Sequence, residues 1–279
     1  MSDSLRDAHF IRAPRLAELI SAGRRLAILD VGIGSTPEQA REPYDERHLP
    51  GAVFVHLETD LQAPNGGTSG KRPLPDLRAL QEKARAWGIS ADTTVVVYDR
   101  YAGTKAGRAW WVLRWAGLTD VRILDGGLDA WVRSDRSTTN APARPLPGDV
   151  ALSPDHLPRV STREAIELAS NGRLFDARGL QQFVDGHIPG ARVAPTRANL
   201  TDDGLLRDAE WIRQRYSDLG VDGTQQTAFY CGGAVAAAHG VAVLASIGVL
   251  VSLYVPSFGG WSADESNEVA LGDELEVAR

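Results

Sequence analysis

Short apolar runs alternate with helix-length stretches along this chain. The runs at 25–31, 94–99, 121–124, 172–178, 226–230 and 250–255 are four to seven residues long and apolar at their centres. Runs of that length, apolar without strict alternation, predict strands buried on both faces of a sheet. Between them, segments 77–87, 106–116, 208–219 and 234–246 carry the wider apolar spacing of helices. Strand and helix in alternation predict an α/β fold with a mainly parallel sheet flanked by helices. Such sheets bind ligands beyond the carboxyl ends of their strands. The most apolar stretch, 235–255, is broken by His239, Gly240, Ser246, Gly248 and Ser252. It predicts a buried helix followed by a strand, not a membrane span.

The pattern comes round twice. Leu29-Asp30-Val31 ends one apolar run and Phe175-Asp176-Ala177-Arg178 ends its counterpart. His48-Leu49-Pro50-Gly51-Ala52 follows the first, and His187-Ile188-Pro189-Gly190-Ala191 follows the second. Then come Val95-Val96-Val97-Tyr98-Asp99 and Ala228-Phe229-Tyr230-Cys231, each leading through small residues into a helical segment. Each copy closes on glycines and a tryptophan, at Gly126-Gly127 with Trp131 and at Gly259-Gly260-Trp261. Asp99 lies 32 residues before Trp131, and Cys231 lies 30 before Trp261. Five features in one order predict two homologous domains, at 10–133 and 159–270. Residues 134–158 hold five prolines and clusters of Ser, Thr, Asn and Asp, the composition of a linker.

Composition narrows the function more by exclusion than by suggestion. The net charge of the 279 residues is −6, with no basic run to neutralise a row of phosphates, so no nucleic-acid partner is expected. No membrane partner is expected either, and the first residues lack the apolar core of a signal peptide, so the expected location is cytoplasmic. One cysteine permits neither an internal disulfide nor a cysteine-rich metal site. No His, Asp and Glu spacing recommends a metal, and no cofactor is expected.

That lone cysteine, Cys231, sits where a strand gives way to Gly232-Gly233 and a helix beginning near Ala234. Two glycines let the backbone curl and a ligand approach closely. Successive N–H groups of such a turn can form an anion cradle, and a helix N-terminus adds positive potential. Both favour a thiolate, hence a nucleophile. The bland alternative is a small hydrophobe capping a core strand. The first copy has Asp99 at the cysteine position. A carboxylate cannot carry sulfur, so the pair divides into one working and one supporting domain.

Taken in order, these residues resemble the rhodanese family, specifically the tandem-domain thiosulfate and 3-mercaptopyruvate sulfurtransferases. The carriers are the two His-[Leu/Ile]-Pro-Gly-Ala motifs, Val96-Val97-Tyr98-Asp99, Arg108-Ala109-Trp110-Trp111, Leu124-Asp125-Gly126-Gly127, Asp176-Ala177-Arg178 and Tyr230-Cys231-Gly232. The resemblance implies that Cys231 takes sulfur from a small anionic donor as a persulfide. It then passes the sulfur to cyanide or a thiol, such as that of a thioredoxin-like protein. It further implies that the backbone of Gly232, Gly233, Ala234, Val235 and Ala236 cradles the persulfide, that Arg178 faces the donor's anion, and that the Asp99 domain is silent.

The loop departs from both donor classes. No basic residue follows Cys231, unlike thiosulfate-using members. The pattern lies modestly closer to mercaptopyruvate-using members, although Gly233 and Ala236 lack their hydroxyls. With Gly233 in place, a proton-handling set of loop serine and first-domain histidine cannot form. His48 and Lys105 are the first-domain candidates for the cleft, His48 being more readily a turn residue. His239 and the paired tryptophans read as packing, and Arg108 as structural. A phosphatase of this fold needs an arginine six residues after the cysteine, where Ala237 stands. A non-enzymatic alternative is a protein-persulfide relay or regulatory sulfur-binding protein, which predicts an open, apolar rim around Cys231.

Overall fold

The structure, a computed structural model, describes residues 2–272. The first sheet contains β1 (Phe10–Ile11), β2 (Leu26–Gly32), β3 (Ala52–His56), β4 (Thr94–Tyr98) and β5 (Val121–Leu124), in the order β1-β5-β4-β2-β3. The second contains β6 (Leu174–Asp176), β7 (Arg192–Val193), β8 (Ala228–Tyr230) and β9 (Ser252–Leu253), in the order β7-β6-β8-β9. Every pairing is parallel. Read from the same side, β5-β4-β2-β3 and β9-β8-β6-β7 are one topology. Even the extra edge strand has an echo, since Arg159 bridges Leu253 where β1 pairs with β5.

The equivalence extends to side chains. Asp30 stands opposite Tyr98, and Asp176 opposite Tyr230. Each tyrosine hydroxyl accepts from a backbone N–H one residue after the repeated histidine, Leu49 at 3.1 Å and Ile188 at 3.2 Å. These pairs lock the His-Pro-Gly turn to the sheet centre.

Several elements are shorter than the sequence pattern predicts. The strand at 226–230 begins at Ala228, and that at 250–255 keeps only Ser252–Leu253. The helix expected from Ala234 begins at Ala236. Pattern marks the apolar run, whereas pairing ends where the neighbouring strand ends. No helix among the described residues is long and apolar enough to cross a membrane.

One core cluster runs through both domains, and each keeps a smaller one of its own. Helix Ala106–Trp115 packs on helix Ala236–Ala245, and a Cβ on Gly107 would lie 2.6 Å from His239 Cα. Only glycine permits that approach. His239, fully buried at this contact, has Nδ1 3.2 Å from Thr196 Oγ1. Burial holds its imidazole down to about 4, against 6.5 when unfolded. The unfolded chain therefore binds an extra proton between those values, and folding loses stability as pH falls from about 6.5 towards 4. The full loss is ~3 kcal/mol. Thermal melts across this range should show a falling Tm in the wild type and a shallower fall in His239→Phe. Parallel profiles would remove His239 as the cause.

Residues 134–158 contain no helix or strand, yet they are strapped to the first domain. His48 and Thr139 exchange backbone hydrogen bonds at 2.8 and 2.9 Å, and Gly148 N–H donates to Arg85 O at 2.8 Å. The His48 ring stacks on Tyr44 at 3.8 Å, with Nδ1 2.7 Å from Tyr44 O and Nε2 3.1 Å from Ala141 O. The expectation that His48 reaches a cleft is thereby corrected. Its ring is spent on fixing the turn and strap. His187 repeats the arrangement, stacked on Phe183 at 3.7 Å and bridging Ala270.

Candidate active site

The strand order decides where a ligand can go. From β6 the chain passes outward to β7, then returns to β8 on the other side. The connections therefore leave β6 and β8 in opposite directions and open a crevice at their carboxyl ends. Asp176-Ala177-Arg178 leave β6 there, and Cys231 leaves β8. A cavity of about 470 Å³ opens at this point. Cys231, a free thiol 3% exposed, forms its floor. Gly232, Gly233, Val235 and Ala236 line it, as do Arg178 and Lys105.

The loop after Cys231 is shaped differently from the sequence expectation. The left-handed residue is Ala234, at φ 55°, and neither Gly232 nor Gly233 has positive φ. Ala234 is fully buried and does not line the cavity. Its N–H donates to Ser257 Oγ at 3.0 Å, so it is withdrawn from the expected cradle. Cys231 N–H donates to the same oxygen at 3.3 Å. Among the described residues, nothing accepts from the N–H groups of Gly232, Gly233, Val235 or Ala236. Those four remain for an anion, at the N-terminus of helix Ala236–Ala245.

Ser257 escaped the sequence reading. It sits at φ 56°, a conformation rare for a residue with a side chain, and donates to Tyr254 O at 3.0 Å while accepting the two loop amides. Its first-domain counterpart is Gly127, at φ 60°. The next residues correspond as well, since Leu128 N–H donates to Asp99 O and Phe258 N–H to Cys231 O. A serine where the repeat has glycine was the available signal.

Arg178 reaches the cavity but is not free. Its Nε and Nη2 bind the Asp176 carboxylate at 2.9 and 2.6 Å, and Nη2 also donates to Gly186 O at 2.7 Å. Its guanidinium carbon lies 4.2 Å from the Phe258 ring centre. The bidentate fork is therefore committed within the domain. Of the guanidinium expected to face a donor's anion, only Nη1 is left without a bond to the domain among the described residues. Alternate residues of an extended chain share a face, so Asp176 and Arg178 meet.

The first domain supplies cations that the sequence reading missed. Lys71 and Arg72 line the cavity together with Lys105, and Arg197 joins them from the second domain. Among the described residues lining it there is no histidine, aspartate or glutamate. The segment arrives by long-range docking. Gly70, at φ 94°, leaves no room for a Cβ against Pro256 O, 2.5 Å away. Behind it, Arg108 is fully buried and donates from Nη2 to Arg72 O at 2.9 Å and to Pro73 O at 3.3 Å. Burial holds the Arg108 guanidinium down to about 10, with Arg72 acting in the same direction and Cys231 opposing.

The matching first-domain loop is already full. The Asp99 carboxylate, fully buried, accepts N–H bonds from Tyr101, Gly103, Lys105 and Ala106 at 2.7, 2.8, 2.6 and 2.7 Å. It occupies its own cradle as an anion would occupy the one beside Cys231.

Comparisons with known proteins agree with this duplicated geometry. A model of the rhodanese-like domain matches residues 13–134 and again 161–264. A Mycobacterium tuberculosis protein provisionally named thiosulfate sulfurtransferase is 38% identical over 94% of this chain and 96% of its own. A Pseudomonas aeruginosa protein provisionally named 3-mercaptopyruvate sulfurtransferase is 38% identical over 95% and 99%. Among solved structures, a 3-mercaptopyruvate sulfurtransferase from Leishmania major superposes with a TM-score of 0.79 at 22% identity, over 91% of this chain and 74% of that one.

Proposed function

The chain belongs to the rhodanese family of sulfurtransferases, and from that premise we propose that Cys231 carries the transferred sulfur as a persulfide. The observation carrying this reading is the single thiol on the floor of a cavity whose charged lining is entirely cationic. In the first half-reaction the Cys231 thiolate attacks the outer sulfur of the donor. A new S–S bond forms, and the donor's bond to that sulfur breaks with its electron pair leaving on the donor remnant. In the second, cyanide or a thiolate attacks the terminal sulfur and returns the Cys231 thiolate. The free amides of Gly232, Gly233, Val235 and Ala236 stabilise the terminal sulfur anion. The first domain is silent in this scheme, because Asp99 has no sulfur nucleophile and fills its own loop.

The lining also bears on the donor. Thiosulfate releases sulfite, which departs as an anion and needs no proton. Mercaptopyruvate must lose a carbanion of pyruvate, which needs a proton delivered as the C–S bond breaks. The lining holds no histidine or carboxylic acid, so among its ionisable side chains that proton would have to come from the weakly acidic ammonium groups of Lys71 or Lys105. This outweighs the modest mercaptopyruvate resemblance of the loop and favours a sulfane donor such as thiosulfate. A relay between proteins would need an open, apolar rim, whereas Cys231 lies recessed under cationic loops.

Intact-mass measurement after incubation with thiosulfate, and separately with 3-mercaptopyruvate, tests both points. Gain of one sulfur atom, faster from thiosulfate, is expected. Faster loading from mercaptopyruvate would overturn the proton argument, and no gain from either would overturn the small-donor reading.

A further inference from the structure

We propose that Arg72, brought in by the first domain, is the residue that selects anions at Cys231, with buried Arg108 as its positioning residue. This rests on the cysteine cavity being the reactive site. Three observations converge on Arg72. It lines the cavity with Cys231, and a Cβ on Gly233 would lie only 3.0 Å from its Nη1 and 3.4 Å from Lys71 Cβ. The guanidinium is therefore seated against the cysteine loop, and the missing side chain at position 233 makes its room. Second, among the described residues nothing accepts from Nη1, and Nε is buried without a partner. Only Nη2 is engaged, with Glu58 Oε1 at 2.8 Å. An arginine with two donors unspent beside a thiol differs from Arg178, whose fork is closed on Asp176.

Third, the backbone beneath Arg72 is held by a residue with no evident structural need to be charged. Arg108 is fully buried on helix Ala106–Trp115, and its Nη2 holds the carbonyls of Arg72 and Pro73. Its Nε and Nη1 have no partner in the protein among the described residues. Keeping a guanidinium so placed is costly unless its charge serves something nearby. Here it fixes the segment bearing Arg72 and adds positive potential at the same cavity. Arg72 and Lys71 thus supply from across the domain boundary the basic residues that the loop after Cys231 lacks.

Alkylation of Cys231 by iodoacetate and by iodoacetamide tests this independently of sulfur transfer. The thiolate displaces iodide from both reagents, and only the first is an anion. The wild type should prefer iodoacetate. Arg72→Gln should lower the iodoacetate rate about tenfold while the iodoacetamide rate stays within about twofold. Glu58→Gln, which frees Nη2, should strengthen the preference, and Arg178→Gln should weaken it less than Arg72→Gln does. Arg108→Met should lower the preference, with Arg108→Lys recovering part of it. With thiosulfate, Arg72→Gln should raise KM more than it lowers kcat. A preference unaffected by Arg72→Gln, or abolished only by Arg178→Gln, overturns the proposal. If no donor loads Cys231 yet the preference still depends on Arg72, the anion site stands and the sulfurtransferase reading falls.

Discussion

Cys231→Ser should abolish sulfur loading and reduce transfer by about a thousandfold or more, to the background of the donor–acceptor mixture. The chain has one cysteine, so no second thiol can take over. Serine keeps the size and the neighbours of the side chain, and the loop amides held by Ser257 Oγ are backbone groups that do not depend on it. The loss should come without unfolding, which circular dichroism and the melting temperature can verify. A Cys231→Ser protein that still gains a sulfur atom would place the carrier elsewhere and remove the mechanism.

Asp99→Ala should be the most destabilising single change around the cleft, although Asp99 belongs to the domain without the cysteine. Truncation strips the acceptor from four backbone N–H groups at once, those of Tyr101, Gly103, Lys105 and Ala106. Each orphaned buried donor costs about 1–3 kcal/mol, and water entering the vacated volume recovers part of this, so a net loss of about 3–5 kcal/mol follows. Urea unfolding should show it as a lower midpoint. Asp99→Asn keeps one carbonyl oxygen and should fall between wild type and Asp99→Ala. Thr104 and Lys105 line the cavity, so sulfur loading at Cys231 should slow as well. A change below about 1 kcal/mol would mean that the carboxylate does not organise its loop.

The sequence pattern revealed the duplication, the parallel sheets and the position of Cys231, because these rest on local periodicity and on motifs in a repeated order. It lost β1 and β7, since they are two residues each and too short for any period to show. It placed Arg178 at the cavity but misjudged its freedom, although Asp176 two positions earlier was the warning. It passed over Lys71 and Arg72 altogether. They lie between a 3-10 turn at Gly67–Ser69 and helix Leu77–Ala86, and only the docking of Gly70 on Pro256 brings them to the thiol. No local pattern encodes a contact nearly two hundred residues away in the chain. Ser257 was legible in principle, as the position where the second copy breaks the double glycine of the first.

The occupied loop at Asp99 has a consequence for how such a pair can evolve. Six residues separate Asp99 from the helix at Ala106, while four separate Cys231 from the helix at Ala236. A cysteine installed at position 99 would inherit a longer loop whose amides had lost their acceptor, and at Gly127 no hydroxyl to gather them. One substitution would therefore unmake the old arrangement without making the new one, and several coordinated changes would be needed before selection could see any gain. A second thiol is thus not one substitution away, and what the first copy gives the cavity of the other includes Lys71, Arg72, Thr104 and Lys105.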